Sequence, residues 1–513
     1  MSFNLFARKD LKDLLKESEG ESSGLKRALG PFNLITLGIG AIIGTGIFVL
    51  TGPAAALYAG PAVVLSFVVA AIASAFAGLC YAEFAALIPI AGSAYSYGYT
   101  ALGEIVAWII GWALILEYAF GAATVAVGWS GYVNSFLQDF GISLPAAWTA
   151  SPGTEMVNYQ DHWQPLTSLP AKVQATAAAL PHVIAHFNAV AFIGILLVTA
   201  ILVIGIQESA NVNTAIVVIK VSVLLVFIGL AAIFLSKSHW QVAIQNWHPF
   251  LPFGWKGVFR GAAFIFFAYI GFDAVSTAAQ EAKKPQRDMP IGILGSLVIC
   301  TILYILVGWL LTGLMPYSQL NVPDPVALGV DRTGVVWGSV LVKIGAIGGL
   351  TSTMLVMLLG QSRIFFTMSH DGLLWKWASK IHQRFRTPFI STILVGTVVA
   401  VLAASFAVSR LAELTNIGTL TAFVIVCGGV WVMRVREPNL KRPFKTPFVP
   451  IVPILGMVIA LGLILFLHTL TKVAFLIWLA IGLVVYFAYG RKHSKVQQAL
   501  QRASADVAGG LRQ

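Results

Sequence analysis

A glycine-rich stretch interrupts the first long apolar segment of this chain. Residues 38–48 read GIGAIIGTGIF, so four glycines and a threonine break a run that otherwise looks membrane-spanning. Lipid offers no hydrogen-bond partner to backbone groups freed by such a break, which must therefore face protein or a water-filled cavity. The stretch is thus a candidate binding site. The alternative is that the glycines only let neighbouring helices pack closely.

The rest of the chain is apolar enough to belong in a membrane. Of its 513 residues, 58% are hydrophobic and only 11% are charged. A bilayer core about 30 Å thick takes about 20 helical residues to cross. Twelve apolar stretches of that size can be placed, and we number them as predicted spans 1 to 12: 31–58, 61–89, 101–136, 184–206, 212–235, 257–279, 290–315, 336–363, 389–408, 411–434, 451–470 and 473–490.

The net charge of +12 reflects membrane orientation and does not indicate a nucleic-acid partner. If the N-terminus is cytoplasmic, most Lys and Arg residues lie in segments that face the cytoplasm, as the positive-inside rule expects. These segments are 8–27, 283–287, 363–386, 434–445 and the tail from residue 491. We therefore predict a multi-pass protein of the cell (inner or plasma) membrane with both termini cytoplasmic.

The N-terminal segment and the cysteines add two further expectations. Residues 1–30 are predicted to be a cytoplasmic segment without a cleavable signal peptide. Its Leu11, Leu14 and Leu15 stripe fits either a short amphipathic helix on the inner surface or a solvated leader. The three cysteines, Cys80, Cys300 and Cys427, each lie in an apolar span, which argues against disulfides and against a metal site.

Span 6 repeats the anomaly of span 1, because Gly271 interrupts it near its centre and Asp273 follows. Two discontinuous helices five spans apart are typical of two inverted five-helix repeats with a site between them at mid-membrane. We therefore divide the chain into a first repeat, a second repeat, spans 11 and 12, and a cytoplasmic tail: 31–235, 257–434, 451–490 and 491–513. The long outer loop 138–182 falls within the first repeat and receives no role.

Several motifs in order resemble the amino acid–polyamine–organocation (APC) superfamily of transporters, and within it a bacterial member of the cationic amino acid transporter branch. The motifs are Gly44-Thr45-Gly46-Ile47-Phe48, the run from Tyr81-Ala82-Glu83 to Tyr97, Ile270-Gly271-Phe272-Asp273, 281–286 (EAKKPQ), 290–293 (PIGI), 363–368 and Asp371-Gly372-Leu373-Leu374. The resemblance implies an all-α polytopic membrane protein with 12 transmembrane helices in a LeuT-type fold. The long loop 138–182 and Trp375, where relatives often have proline, depart from the pattern.

An amino acid carries a carboxylate and an ammonium on one carbon, and a broken helix can bind both. The helix that restarts after the break in span 1 presents free N–H groups and the positive end of its dipole, which suit an anion. Gly44, Thr45 and Gly46 are therefore the predicted carboxylate site, with the Thr45 hydroxyl as an additional donor.

The resemblance assigns the other groups that contact the substrate backbone. By similarity to the family, the carbonyls of Ile42, Phe267 and Ile270 would accept from the ammonium. Phe267 would also close over the substrate as an aromatic gate. Ala268, next in the chain, is placed in the same site.

Lys220 lies within apolar span 5, where a lysine costs about 2.5–3.5 kcal/mol even on the insertion scale. A lysine in this position resembles sodium-independent relatives, in which the ammonium replaces the ion and its proton cycles with transport. We therefore expect proton coupling and no sodium site, and no cofactor. The alternative is a permanently charged lysine that holds span 1 to the polar patch Thr351-Ser352-Thr353.

Several other charged residues lie at or near membrane depth. Glu117 and Asp273 are predicted to line the substrate cavity, where they could pair with a cationic side chain, carry protons or brace helices. Glu83 and Glu281 flank inner loops and are expected to bind basic loop residues. Lys343 lies within snorkelling reach of the outer interface and receives no role.

Met357 is the predicted selectivity residue. Counted back from Arg363 in the motif, it falls where span 8 should meet the substrate side chain. A methionine there fills space that a long arginine or lysine would need, although its side chain is deformable. Small to medium neutral amino acids are therefore the expected substrates, with cationic ones second.

The sequence thus predicts a proton-coupled L-amino acid symporter that works by alternating access in the lipid bilayer. An exchanger of cationic amino acids (arginine, lysine or ornithine) on the same fold is the first alternative, and a membrane sensor that binds an amino acid without transport is the second. No nucleophile–base arrangement or metal-ligand cluster indicates an enzyme. The sequence names no protein partner.

Overall fold

The computed structural model describes residues 4–9, 29–88, 93–159, 162–169, 171–205, 210–237, 239–385 and 387–501 of the chain. The Leu11, Leu14 and Leu15 stripe lies outside the described residues. Every predicted span contains helix, with ends that differ by several residues from the predicted ones.

The helices follow the predicted spans in order. In the first half of the chain they are Pro31–Ile42 and Gly46–Ala59 (span 1), Val63–Leu87 (span 2), Glu104–Asp139 (span 3), Ala189–Ile204 (span 4), Ala210–Lys237 (span 5), and Gly254–Ile265 with Phe266–Tyr269 and Ala274–Thr277 (span 6). In the second half they are Pro285–Leu314 (span 7), Val336–His370 (span 8), Phe389–Ser405 (span 9), Val408–Arg436 (span 10), Ile451–Phe466 (span 11), and Thr469–Val485 continuing to Gly490 (span 12). Helix Ser93–Ala101 lies between spans 2 and 3.

Seven helical segments among the described residues are long and apolar enough to cross a membrane. Four further apolar helices are shorter, between 10 and 17 residues. The chain is therefore a mostly helical, multi-pass membrane protein.

Both glycine-containing spans are interrupted as the sequence predicts. In span 1, helix Pro31–Ile42 ends at Ile43, which has an extended backbone, and a π-helix begins at Gly46. In span 6, helix Gly254–Ile265 tightens to a 3₁₀ turn and ends at Ile270, after which Gly271 has φ +117°. A positive φ of this size favours glycine, which explains the residue type at this break.

Span 3 forms the centre of the helical packing. Helix Glu104–Asp139 lies along both Val336–His370 and Val408–Arg436. Glycines allow these helices to approach closely, since a side chain on Gly360 would collide with the ring of Tyr118. Spans 3, 8 and 10 thus pack closely along one another.

The long outer loop contains a small sheet, so the fold is not all-α throughout. Strand Glu155–Tyr159 pairs antiparallel with His162–Pro165 on one side and His182–Ile184 on the other. Met156 and Ala185 are buried in a small separate core beneath it. The stretch lacks a long apolar run, so its short strands gave no span-like signal in the sequence.

The described parts of both termini lie on one face of the protein. Residues 4–9 pack against the start of span 3, where Glu104 N–H donates to the Ala7 carbonyl. The Gln497 side chain donates to the Asn4 carbonyl. Lys9 pairs with Asp371 at the end of span 8, with 2.6 Å between Nζ and Oδ1. The described terminal segments therefore pack together at one end of the helices.

Glu83 makes the predicted contacts with basic loop residues. Its carboxylate forms ion pairs of 2.9 Å with Arg434 and 3.2 Å with Arg442, and it accepts from the Thr446 N–H. Glu281 behaves differently, because its backbone carbonyl accepts from the Leu29 N–H and its carboxylate forms no ion pair with any described residue.

Candidate functional site

The interruptions in spans 1 and 6 pack directly on one another. A methyl group on Gly46 would lie 2.2 Å from the Ala268 Cα, and one on Gly271 would lie 2.8 Å from the Ala41 carbonyl. Glycine is therefore required at both contacts, because each backbone occupies the space of the missing side chain. The two breaks form one structural unit in the middle of the protein.

Side chains from other helices satisfy the carbonyls that the break in span 1 frees. The Lys220 ammonium donates to the Gly40 carbonyl at 2.7 Å and to the Ile43 carbonyl at 3.0 Å. It also donates to the Thr353 hydroxyl at 3.1 Å. Lys220 is completely buried. A buried ammonium needs such acceptors, and the carbonyls need such donors, so each explains the other.

A tyrosine and an asparagine complete the set of donors. The Tyr304 hydroxyl of span 7 donates to the Ile42 carbonyl at 2.9 Å. The Asn416 amide of span 10 donates to the carbonyls of Ala263 and Phe264 at 2.9 and 2.8 Å, at the end of the first half of span 6. Spans 5, 7, 8 and 10 thus all hold the two breaks through hydrogen bonds.

Thr45 differs from these neighbours because its hydroxyl has no hydrogen-bond partner among the described residues. The residue is fully buried and stands where the π-helix of span 1 begins. An unpaired hydroxyl inside a protein costs about 1–3 kcal/mol unless a ligand or water binds it. Thr45 is therefore the best candidate for a ligand contact in this part of the fold.

Two acids that the sequence assigned to the site, Glu117 and Asp273, are buried. Glu117 is 1% exposed, and neither of its carboxylate oxygens has a partner within hydrogen-bond distance in the described part of the chain. The Thr419 hydroxyl is a polar neighbour, but it donates to the Thr415 carbonyl. Asp273 is also buried and is an electrostatic neighbour of Glu117. The structure thus brings together the two acids that the sequence singled out.

Met357 lies on the same side of span 3 as Glu117. Its sulfur would touch a methyl group on Gly121 at 3.4 Å, and Gly121 is one helical turn from Glu117. Met357 is 2% exposed. Met357 of span 8 therefore packs against span 3 one helical turn from Glu117.

The remaining predicted contacts are also buried in this region. Phe267, Ala268 and Ile270 form the turn that packs on Gly46, and the Ile270 N–H donates to the Phe267 carbonyl at 3.2 Å. The Ile42 carbonyl already accepts from Tyr304. A ligand ammonium would therefore share the Ile42 and Phe267 carbonyls with protein donors, which two lone pairs per oxygen permit.

The sequence reading missed Tyr304 and Asn416 as members of the site. Tyr132 is a further case, since its hydroxyl donates to the Phe48 carbonyl at 2.7 Å and joins span 3 to the restarted helix. The only sequence feature that marked these residues was a polar side chain inside an apolar span. That feature does not single out a site residue, because the chain has 13 tyrosines.

Lys343 does not snorkel to the interface. Its side chain is 3% exposed and forms an ion pair with Asp139 at 2.6 Å. The carboxylate comes from the end of span 3, so packing between spans 3 and 8 provides the partner that a snorkelling lysine would seek in water.

The broken spans and their donors can be compared with known proteins. A family model described as amino acid permease matches residues 29–488. The chain belongs to the amino acid permease family. It is 47% identical over 499 residues to the branched-chain amino acid permease BcaP of Bacillus subtilis (strain 168). The aligned region covers 97% of this chain and 100% of that protein.

Two other relatives widen the range of named substrates. The methylthioribose transporter of Bacillus subtilis (strain 168) is 44% identical over 491 residues, 96% of this chain and 99% of that protein. The vacuolar cationic amino acid transporter 4 of Arabidopsis thaliana is 37% identical over 417 residues, 81% of this chain and 64% of that protein. The permease is therefore an amino acid transporter of the APC superfamily and not an enzyme.

The contact between the two breaks can be tested with a single methyl group. We predict that Gly46→Ala abolishes most transport, because the added Cβ collides with the Ala268 backbone. Uptake of radiolabelled substrate into proteoliposomes measures the effect. Gly348→Ala is the control, since a methyl group there meets no atom within 4 Å. Wild-type uptake by Gly46→Ala would contradict the packing of the two breaks.

Proposed function

We propose that the permease is a proton-coupled L-amino acid symporter that works by alternating access. Small to medium neutral amino acids are its main substrates. The carboxylate binds at Gly44, Thr45 and Gly46, and the ammonium binds at the carbonyls of Ile42, Phe267 and Ile270. Both termini face the cytoplasm of the cell that carries it.

The proposal includes 12 transmembrane helices in a LeuT-type fold, with two inverted five-helix repeats followed by spans 11 and 12. Two observations support this arrangement. The first helix of each proposed repeat is interrupted, and the interruptions touch. The described terminal segments share one face, as an even number of crossings requires.

The observation that carries the function is the buried Thr45 hydroxyl at the start of a restarted helix, which has no partner among the described residues. A hydroxyl and the positive end of a helix dipole together suit a carboxylate. Because every amino acid has this group, the contact accounts for the substrate class and leaves preference to other residues.

We predict that Thr45→Val weakens substrate affinity about tenfold while the protein folds normally. The hydroxyl makes no hydrogen bond within the described protein, so its loss costs the ligand contact, on the order of 1–1.5 kcal/mol. Equilibrium binding of radiolabelled L-leucine measures this. Thr51→Val is the matched control, because the Thr51 hydroxyl donates to carbonyls of its own helix. Unchanged leucine affinity in Thr45→Val would contradict the proposed binding of the carboxylate at Thr45.

Lys220 is the proposed coupling residue. In the charged form it holds the Gly40 and Ile43 carbonyls of the first half of span 1 against Thr353 of span 8. Loss of its proton would remove the charge from these contacts and release the half-helix to move. Proton transfer at Lys220 would thereby be linked to the change of access.

We predict that Lys220→Met abolishes accumulation driven by a pH gradient, because the ammonium that holds the Gly40 and Ile43 carbonyls is then absent. Uptake into proteoliposomes with and without an inward proton gradient measures the coupling. Tyr304→Phe is the control, since it removes a neutral donor from the same break. It should lower uptake while keeping the response to pH. Gradient-driven accumulation in Lys220→Met would leave Lys220 as a structural residue.

Met357 sets the proposed preference for small and medium neutral side chains. Its sulfur occupies the space beside Gly121 of span 3, one helical turn from Glu117. A shorter residue there would open that space to longer substrates.

We predict that Met357→Ser raises arginine affinity several-fold relative to leucine, because the shorter side chain leaves more room. Competition of unlabelled arginine against leucine uptake measures the change. Met368→Ser is the control, because Met368 lies on the same helix as Met357 but is buried against Gly111 of span 3. An unaltered arginine-to-leucine ratio would exclude Met357 from the pocket.

The second candidate is exchange of cationic amino acids. The buried pair Glu117 and Asp273 supports it, because two acids can hold a cationic side chain, and so do the relatives named as cationic amino acid transporters. Efflux of preloaded arginine distinguishes the candidates, since an exchanger releases it only when substrate is present outside. Methylthioribose should also be tested as a competitor of leucine uptake, because one relative is named a methylthioribose transporter.

A further inference from the structure

A cavity of about 420 Å³ lies outside the broken spans, beneath the long loop. Its walls come from the outer end of span 3, from the small sheet, from the connection between spans 7 and 8, and from Lys343. The volume is within the usual range for a site that holds a small molecule. None of the residues assigned to the central site lines it.

Acidic groups predominate on the described walls of this cavity. Asp139, Asp324 and Asp331 supply three carboxylates, whereas Lys343 supplies the one ammonium. Lys343 is already paired with Asp139. Within the described part of the chain, Asp324 and Asp331 form no ion pair. Two carboxylates therefore stand without a counter-ion in the described part of the chain, and a cationic ligand can pair with them.

Asn134 provides a second, independent indication of a ligand. It lines the cavity, it is 9% exposed, and its Oδ1 has no hydrogen-bond partner among the described residues. An unpaired buried amide oxygen is an acceptor that an ammonium donor would satisfy. Removal from water also raises the pKa of Asp324 above its usual range, against the opposing positive charge of Lys343. A bound cation would oppose that rise as well.

The rest of the wall favours an organic ligand. Met156, Trp163, Leu169 and Met315 contribute apolar surface. A bare metal ion would gain nothing from these side chains, while the methylene groups of an aliphatic amine would be removed from water against them. The walls thus combine acceptors for an ammonium with apolar surface for a hydrocarbon chain.

The cavity adjoins the outward side of the central site. Gly128 of span 3 faces Thr45 and Val49, and Gly131, one turn further out, contacts Pro323 in the cavity wall. Ser135, two turns beyond Gly128, also lines the cavity. At 1.5 Å per residue, the cavity begins about 5–10 Å along span 3 from Thr45.

We propose that this cavity is an outer binding site for an aliphatic organic cation, with Asp324, Asp331 and Asn134 as acceptors for its ammonium group. Lysine and simple diamines have the required chemistry. The long loop is then the cover of a binding site. Passage of the bound cation inward to Thr45 rests on the proposed transport function, whereas binding in the cavity does not.

Radiolabelled cadaverine is the probe, because this diamine has no carboxylate and cannot use the contact at Thr45. We expect it to bind the purified full-length protein in the presence of saturating L-leucine. Asp324→Asn/Asp331→Asn should weaken binding on the order of fivefold or more. Glu155→Gln, which removes a charge from the same loop outside the cavity, should bind as the wild type does. If the double variant does not fold, Asp331→Asn alone tests the site, because Asp331 is exposed.

The outcomes separate this site from the central one. Failure of cadaverine to bind, displacement by leucine, or full affinity in the Asp324→Asn/Asp331→Asn variant would each overturn the outer site. Absence of leucine transport would instead contradict the proposed function, and the effect of the two aspartate changes on cadaverine binding would still decide the outer site.

Discussion

A helix can stop inside a membrane only where its freed carbonyl groups find donors within the protein. Here the ammonium of Lys220 supplies them for Gly40 and Ile43, and the Tyr304 hydroxyl supplies one for Ile42. The Asn416 amide does the same for span 6. The positions of three surrounding spans, 5, 7 and 10, relative to the breaks follow from these few hydrogen bonds.

In the proposed mechanism, the same constraint determines which class of ligand the site binds. The carbonyl ends of the broken helices are largely occupied by protein donors, while the Thr45 hydroxyl at the restarted helix is unpartnered among the described residues. An anion is therefore the ligand group that would accept a hydrogen bond from the Thr45 hydroxyl. A donor that can lose its proton, Lys220, holds the half-helix that has to move, which connects binding geometry to proton coupling in the proposed mechanism.

The sequence predicted those features that leave a strong local mark. Glycines inside an apolar run marked both breaks, and a lysine within a span marked Lys220 because burial of that charge requires a partner. Tyr304 and Asn416 were not predicted, since their importance depends on which carbonyls lie across from them. Lys343 received no role from the sequence, since its partner, Asp139, is 204 residues away in the chain. The small sheet depends on strand pairing over short, mixed segments, which periodicity alone does not reveal.

The most direct test of the account is an experimental structure of the permease with bound L-leucine. We expect the leucine carboxylate within about 3 Å of the Thr45 Oγ1 and of the backbone N–H groups at the start of the restarted helix. The Lys220 ammonium should remain on the Gly40 and Ile43 carbonyls in the same structure. A carboxylate bound elsewhere, with the Thr45 hydroxyl still unpaired, would contradict the central claim.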